Sequence, residues 1–254
     1  MNSELSKAFK AYDIRGLSPG ELDAAFARRL GEVLAAEFGP KRVLVGRYMR
    51  TTSPELEAAL IDGLTSQGVA VTRIGLCSTP MFNVSVGLGA GKYDLGIMVT
   101  ASHNPGKYNG FKLVKGDPSA GSGQVLTPIG QGSGMEIIRD RFMSNETRSP
   151  SAVKGSVTDD PNALTAYLDK VFSQVDVTQI PPQKIAVDAG NGMNGLILPE
   201  LAKRLPQCTF FALYWELDGN FPHHEANPLK TETLEDLRRL VGSTQSNLGV
   251  AFDG

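Results

Sequence analysis

The chain has 254 residues and a net charge of −2 from 25 basic and 27 acidic residues, with 41% apolar content. That length suits one or two α/β-sized cores, and the balanced charge leaves no basic footprint for nucleic acid or an acidic membrane. No stretch reaches the ~20 apolar residues of a membrane helix, and Met1–Lys7 lacks a signal-peptide run, so the expectation is a soluble cytoplasmic protein with neither nucleic-acid nor membrane partners.

Phe9 to Ile14 reads as a first strand ended by Arg15-Gly16, and Glu21 to Phe38 as a helix stopped by Gly39-Pro40. Val43-Leu44-Val45 is a buried strand. Ser53 is the expected N-cap of the next helix, with Pro54 in its first turn and Leu56, Leu60, Ile61 and Leu64 on one face. Gly68 ends that helix, Val69 to Ile74 is a strand, Pro80 to Leu88 a helix, and Leu95 to Thr100 a short apolar strand of parallel type. Gly116 to Gly134 reads as a glycine-rich surface excursion. Met135 to Phe142 is a further helix. The polar run Ser144 to Pro161 marks a boundary near residue 150, which divides the chain into domains 1–150 and 151–254.

Beyond it the alternation resumes. Helices are expected at Ala163–Phe172, Leu196–Leu205 and Leu234–Val241, and strands at Ile185–Asp188, Thr209–Leu213 and Leu248–Phe252. Strands alternating with helices argue two consecutive layered α/β domains with mixed, mostly parallel sheets. Cys77 and Cys208 stand far apart and form no Cys-x-x-Cys pattern, which reads as free thiols in a reducing compartment.

The chemistry concentrates where one strand runs out. Thr100-Ala101-Ser102-His103-Asn104-Pro105 places a hydroxyl, an imidazole and a turn together beyond a strand's carboxyl end, where open α/β sheets bind ligands. Ten residues on, Lys112 lies in the strand-like Phe111-Lys112-Leu113-Val114, which can return its ammonium to the same crevice. Arg15 offers a planar fork suited to phosphate at a strand-to-turn junction, and Tyr12 and Asp13 frame that corner. A Ser-His hydrolase is the disfavoured alternative reading, because a G-x-S-x-G elbow is absent and His103, directly following Ser102, cannot easily reach back as its base. Asp188 to Gly195 is glycine-rich but lacks the P-loop Gly-Lys-Ser/Thr, so it reads as a tight structural turn. The neighbouring His223 and His224 are adjacent residues that point apart, which disfavours a metal site there.

The serine loop, with Tyr108-Asn109-Gly110-Phe111-Lys112, resembles the phosphoserine loop of the α-D-phosphohexomutases, in particular the phosphomannomutase/phosphoglucomutase branch. Ala11-Tyr12-Asp13-Ile14-Arg15-Gly16 and Ala251-Phe252-Asp253-Gly254 agree with it. The resemblance implies phosphate transfer between O1 and O6 of a hexose phosphate through phospho-Ser102 and a hexose 1,6-bisphosphate. It also implies Lys112 as general acid/base, Arg15 and His103 as catalytic contacts, and Tyr12 and Asn104 as further substrate contacts.

The same resemblance implies Mg²⁺ held by phospho-Ser102 and by an Asp-Gly-Asp-x-Asp-Arg loop, of which this chain carries Asp253-Gly254. It spans about half of what the family contains, and the expectation is a chain that turns over poorly alone. In Gly46-Arg47-Tyr48-Met49-Arg50 the family usually has an acid where Tyr48 stands, which predicts a lost partner for Arg47 or Arg50 and a less ordered loop. The alternatives are a phosphoglucosamine mutase and a non-catalytic sugar-phosphate-binding module.

Overall fold

A computed structural model describes residues 5–88, 91–116, 126–144, 146 and 149–254. The chain forms two compact units. The first holds residues up to Tyr48, Thr52–Ala101 and Lys107–Ala163. The second holds Met49–Thr51, Ser102–Gly106 and Leu164–Gly254.

The first unit is built on a seven-stranded mixed sheet. Its strands are β1 (Ile14–Leu17), β2 (Arg42–Arg47), β3 (Ala70–Leu76), β4 (Leu95–Val99), β5 (Tyr108–Lys115), β6 (Thr127–Pro128) and β7 (Val157–Asp159). They run in the order β1-β5-β4-β2-β3-β7, with β6 alongside β5. β4 is parallel to β2, as its unbroken apolar run predicts, and antiparallel to β5 on its other side. The sheet's helices are α1 (Ala24–Phe38), α2 (Ser53–Ser66), α3 (Thr79–Leu88) and α4 (Met135–Ser144).

The side chain of Asp23 accepts from the Phe26 amide at 2.8 Å and caps α1, which ends in left-handed Gly39. Helices α1 and α2 cross at two glycines. A Cβ on Gly63 would lie 2.0 Å from the Arg28 carbonyl, and one on Gly31 2.4 Å from that of Leu60. Phe26, Leu30, Leu34, Leu60, Leu64, Ile97 and Phe111 fill the core between helices and sheet. On another part of the sheet the Cys77 thiol is buried 3.5 Å from the Met98 sulfur, and burial pushes its pKa well above the usual thiol range.

The structure departs from the sequence reading at several points. The first strand begins where it was expected to end, because Phe9 and Ile14 form a single antiparallel bridge and the chain reverses between them. Arg15 and Gly16 therefore lie inside β1 rather than terminating it. Thr52, not Ser53, occupies the N-cap of α2, and the Ser53 hydroxyl accepts instead from Asn109. β7 pairs with β3, so the first unit runs past residue 150 to Ala163. Of the glycine-rich excursion, residues 117–125 lie outside the described residues, and Thr127 and Pro128 pair with β5.

The second unit contains a three-stranded parallel sheet, β10-β8-β9, of β8 (Lys184–Asp188), β9 (Thr209–Leu213) and β10 (Leu248–Ala251). Its helices are α5 (Ala163–Phe172, whose first residue closes the first unit), α6 (Asn194–Lys203) and α7 (Glu235–Thr244). Val187, Ala189 and Leu198 are its small core, with Ile185, Phe210 and Trp215 packed around them. The carboxyl ends of β8 and β10 run into Asp188-Ala189-Gly190 and Phe252-Asp253-Gly254. Among the described residues no helix is long and apolar enough to cross a membrane.

Candidate functional site

In the first unit, β1 and β5 pair antiparallel with Ile14 opposite Phe111 and Arg15 opposite Gly110. Ile14 and Phe111 are fully buried in the core. Strand alternation therefore turns Asp13, Arg15 and Lys112 to the other face. There the Asp13 carboxylate, 5% exposed, pairs with the Arg15 guanidinium and lies 3.6 Å from the Lys112 ammonium. Arg15 Nε is buried and has no hydrogen-bond acceptor among the described residues.

The rest of the Tyr108–Lys112 motif is explained by this pairing. Gly110 has no room for a side chain, since a Cβ there would sit 2.2 Å from the Ile14 carbonyl. Asn109 is completely buried. Its amide donates to the hydroxyls of Thr52 and Ser53 at 3.0 Å each, and its carbonyl accepts from the Gly110 amide. One side chain thus ties β5 to the start of α2 with its polar atoms satisfied.

In the second unit, the serine loop Ser102–Gly106 is organised by Arg50. This buried arginine donates to the carbonyls of Ser102 and Asn104 at 2.6 Å and of Pro105 at 3.0 Å, while its guanidinium sits 5.6 Å from the Phe221 ring centroid. Ser102 is half-buried and adopts a left-handed backbone, φ +54°, which residues other than glycine, asparagine and aspartate rarely occupy. His103 Nδ1 lies 3.1 Å from the half-exposed Asp253 carboxylate. His103, Asn104, Pro105 and Gly106 line a cavity of about 250 Å³ with Asn220, Phe221 and Glu225.

Nearby, His224 Nε2 is 2.9 Å from the buried Asp188 carboxylate, and His223 Nδ1 is 2.7 Å from the Asn191 side-chain oxygen. The Tyr214 ring stacks on His223 and its hydroxyl donates to Asp236, a bond that with burial pushes the phenol up to about 12. The Asp188–Gly195 turn is held by the Gly190 amide donating to Asp188 and by Asn191 reaching the Glu216 carbonyl.

The structure corrects the expectation for Gly46–Arg50. Tyr48 is buried with its hydroxyl 3.0 Å from that of Thr79, Arg47 bonds Glu57 at 3.0 Å, and Arg50 is engaged as described, so neither arginine loses its partner. The importance of Arg50 escaped the sequence reading. Its signal was present, in an arginine two residues beyond a strand-end position that normally carries an acid, but its acceptors are backbone carbonyls some fifty residues away and no residue-type pattern announces them. Tyr12 is 82% exposed on the turn before β1.

Among the described residues no three His, Cys, Asp or Glu side chains converge as a metal-holding group. The oxygen atoms of the Asp253 carboxylate and the Ser102 hydroxyl are hard donors. Magnesium is commonly held by one or two carboxylates with phosphate oxygens and water completing its shell, and these residues fit that pattern.

Residues 6–129 match the family profile described as "Phosphoglucomutase/phosphomannomutase, alpha/beta/alpha domain I", and residues 165–254 match domain II of the same series. The chain is 41% identical over 251 residues to a Xanthomonas campestris protein named "Phosphohexose mutases", covering 97% of this chain and 52% of that protein. It is 37% identical over 251 residues to the "Phosphomannomutase/phosphoglucomutase" of Pseudomonas aeruginosa, covering 97% and 50%. Among solved structures, a phosphoglucomutase/phosphomannomutase family protein from Burkholderia thailandensis superposes with a TM-score of 0.80 at 33% identity, covering 98% of this chain and 53% of that one. The chain spans about half the length of the curated relatives it matches.

Proposed function

Because the chain belongs to the phosphoglucomutase/phosphomannomutase family, we propose that it supplies the phosphoserine-bearing half of a phosphohexose mutase. In this reading Ser102 carries the phosphoryl group. Its Oγ–P bond breaks as a hydroxyl of a hexose phosphate forms the new O–P bond, giving a hexose 1,6-bisphosphate. Lys112 takes the proton from that hydroxyl and returns it in the reverse half-reaction, in which the other phosphate moves back to the serine. Arg15 and Lys112 offset the phosphate charge, and Tyr12, His103 and Asn104 contact the substrate.

Phosphohexomutases are in general metal-dependent. Phospho-Ser102 and Asp253 are the residues that would hold a magnesium ion, which when bound neutralises charge on the transferring phosphoryl group. His103, on the Asp253 carboxylate, orients that ligand.

The observation that carries the proposal is the serine loop itself. A strained Ser102 backbone, three loop carbonyls gathered on one buried arginine and an imidazole on Asp253 are what a fixed phosphate carrier requires. Intact-mass measurement after incubation with glucose 1,6-bisphosphate and magnesium tests it. The expected result is one phosphoryl adduct, located at Ser102 by peptide mapping and lost in Ser102→Ala. Absence of any adduct, with hexose phosphate still bound, would establish a non-catalytic sugar-phosphate-binding module instead.

A further inference from the structure

We propose that Asp13 is a positioning residue, whose buried carboxylate holds Arg15 and Lys112 side by side as a preformed two-cation receptor for a phosphate group. The proposal rests on the reading above that these two cations face phosphate. Its own content is that Asp13 sets their geometry.

Asp13 is 3% exposed, and both of its charged neighbours come from the paired strands β1 and β5. Its place is fixed independently of them. The Lys10 amide donates to the Asp13 carbonyl at 2.8 Å, the Arg15 amide donates to the Ala8 carbonyl at 2.8 Å, and Phe9 bridges Ile14. The reversal over residues 9–14 therefore buries the carboxylate beneath the strand pair before any ligand arrives. Arg15 and Lys112 have about 27% and 30% of their side chains exposed, so each is anchored at Asp13 while part of it still meets solvent.

One carboxylate between two cations leaves this cluster one positive charge in excess. Arg15 Nε, buried and without an acceptor among the described residues, is a donor for which no acceptor is present there. An oxyanion that meets the solvent-exposed parts of these two side chains supplies the balancing charge, and phosphate is the class a guanidinium fork and an ammonium bind together.

The sign of one substitution separates positioning from charge. Asp13→Asn keeps the shape but removes a negative charge beside two cations, so charge alone would tighten phosphate binding. A positioning role predicts the reverse, about tenfold weaker binding, because the amide oxygen cannot anchor both cations.

Inorganic phosphate is titrated into the ¹⁵N-labelled 254-residue chain, and the Arg15 Nε–H resonance is followed by NMR. The expected result is a rigid Arg15 Nε–H before phosphate is added, a saturable shift on addition, and the weaker affinity in a folded Asp13→Asn. Equal or tighter phosphate binding by folded Asp13→Asn overturns the role of Asp13 and leaves the mutase reading standing. Absence of any shift in the wild-type chain overturns both this proposal and the phosphate-facing reading of Arg15 and Lys112. Should Asp13→Asn fail to fold, the wild-type chain decides, since a mobile Arg15 side chain before phosphate is added contradicts a preformed receptor and a rigid one supports it.

Discussion

Arg50 donates to the carbonyl of Ser102 at 2.6 Å, across fifty-two residues of sequence, and to two further carbonyls of the same loop. A single guanidinium thereby substitutes for the secondary structure the loop lacks. Replacing it with Arg50→Met leaves these acceptors without their donor, at an expected loss of about 3 kcal/mol. Arg50→Lys recovers only part of that, since an ammonium has no planar fork to span three acceptors. Urea unfolding measures the loss, and amide exchange over residues 103–106 should accelerate in both variants.

Ser102 trades backbone comfort for position. Glycine tolerates φ +54° where serine does not, so Ser102→Gly should raise stability by about 0.5–1 kcal/mol while abolishing the phosphoryl adduct. Ser102→Ala also abolishes the adduct but gains no stability, because alanine keeps the Cβ. Thermal unfolding of the two variants side by side checks this contrast.

Gly110 lies where β5 passes closest to β1. A methyl group there meets the Ile14 carbonyl at 2.2 Å, which is backbone and cannot turn aside. Gly110→Ala should cost about 3 kcal/mol by forcing the strands apart. Because Arg15 and Lys112 ride on those strands, phosphate binding should weaken together with the melting temperature.

Glu57 gives a pH signature in the first unit. Burial raises its carboxyl pKa above the ordinary 4.5, against the lowering effect of Arg47. The native state therefore holds this proton to higher pH than the unfolded chain does. Its contribution to stability is fully present below the unfolded value and is lost as pH rises from about 4.5 through the raised native value. Glu57→Gln does not titrate, so its stability relative to wild type should climb across that interval. Urea midpoints of both proteins taken from pH 4 to pH 7 test the sign.

Much of this arrangement was legible from residue order. Apolar periodicity located α1, and the expected bounds of α5 and β9 agree with those observed, because each is a regular run between clear breakers. Lys112 fell on a strand running back beside β4, as the short apolar segment around it implied. What stayed hidden depends on partners distant in the chain. The Phe9–Ile14 bridge turns an apolar segment into a reversal. The demand of Asn109 for two hydroxyls moves Ser53 away from capping its helix. Val157–Asp159 is too short and too exposed to announce itself as a strand, yet Arg73 and Asp159 clasp across the β3–β7 edge at 2.7 Å. Buried Tyr48 looked like a lost acid only while the hydroxyl of Thr79 was unseen.

The two thiols fall one to each compact unit, Cys77 sealed against Met98 and Cys208 partly open beside the Pro181 carbonyl. An alkylating reagent thus meets them in a set order. Cys208 should react from the native protein, whereas Cys77 has to wait until its unit opens. The unmodified polypeptide accordingly contains its own clock for the opening of the first unit, readable by mass spectrometry without introducing any label.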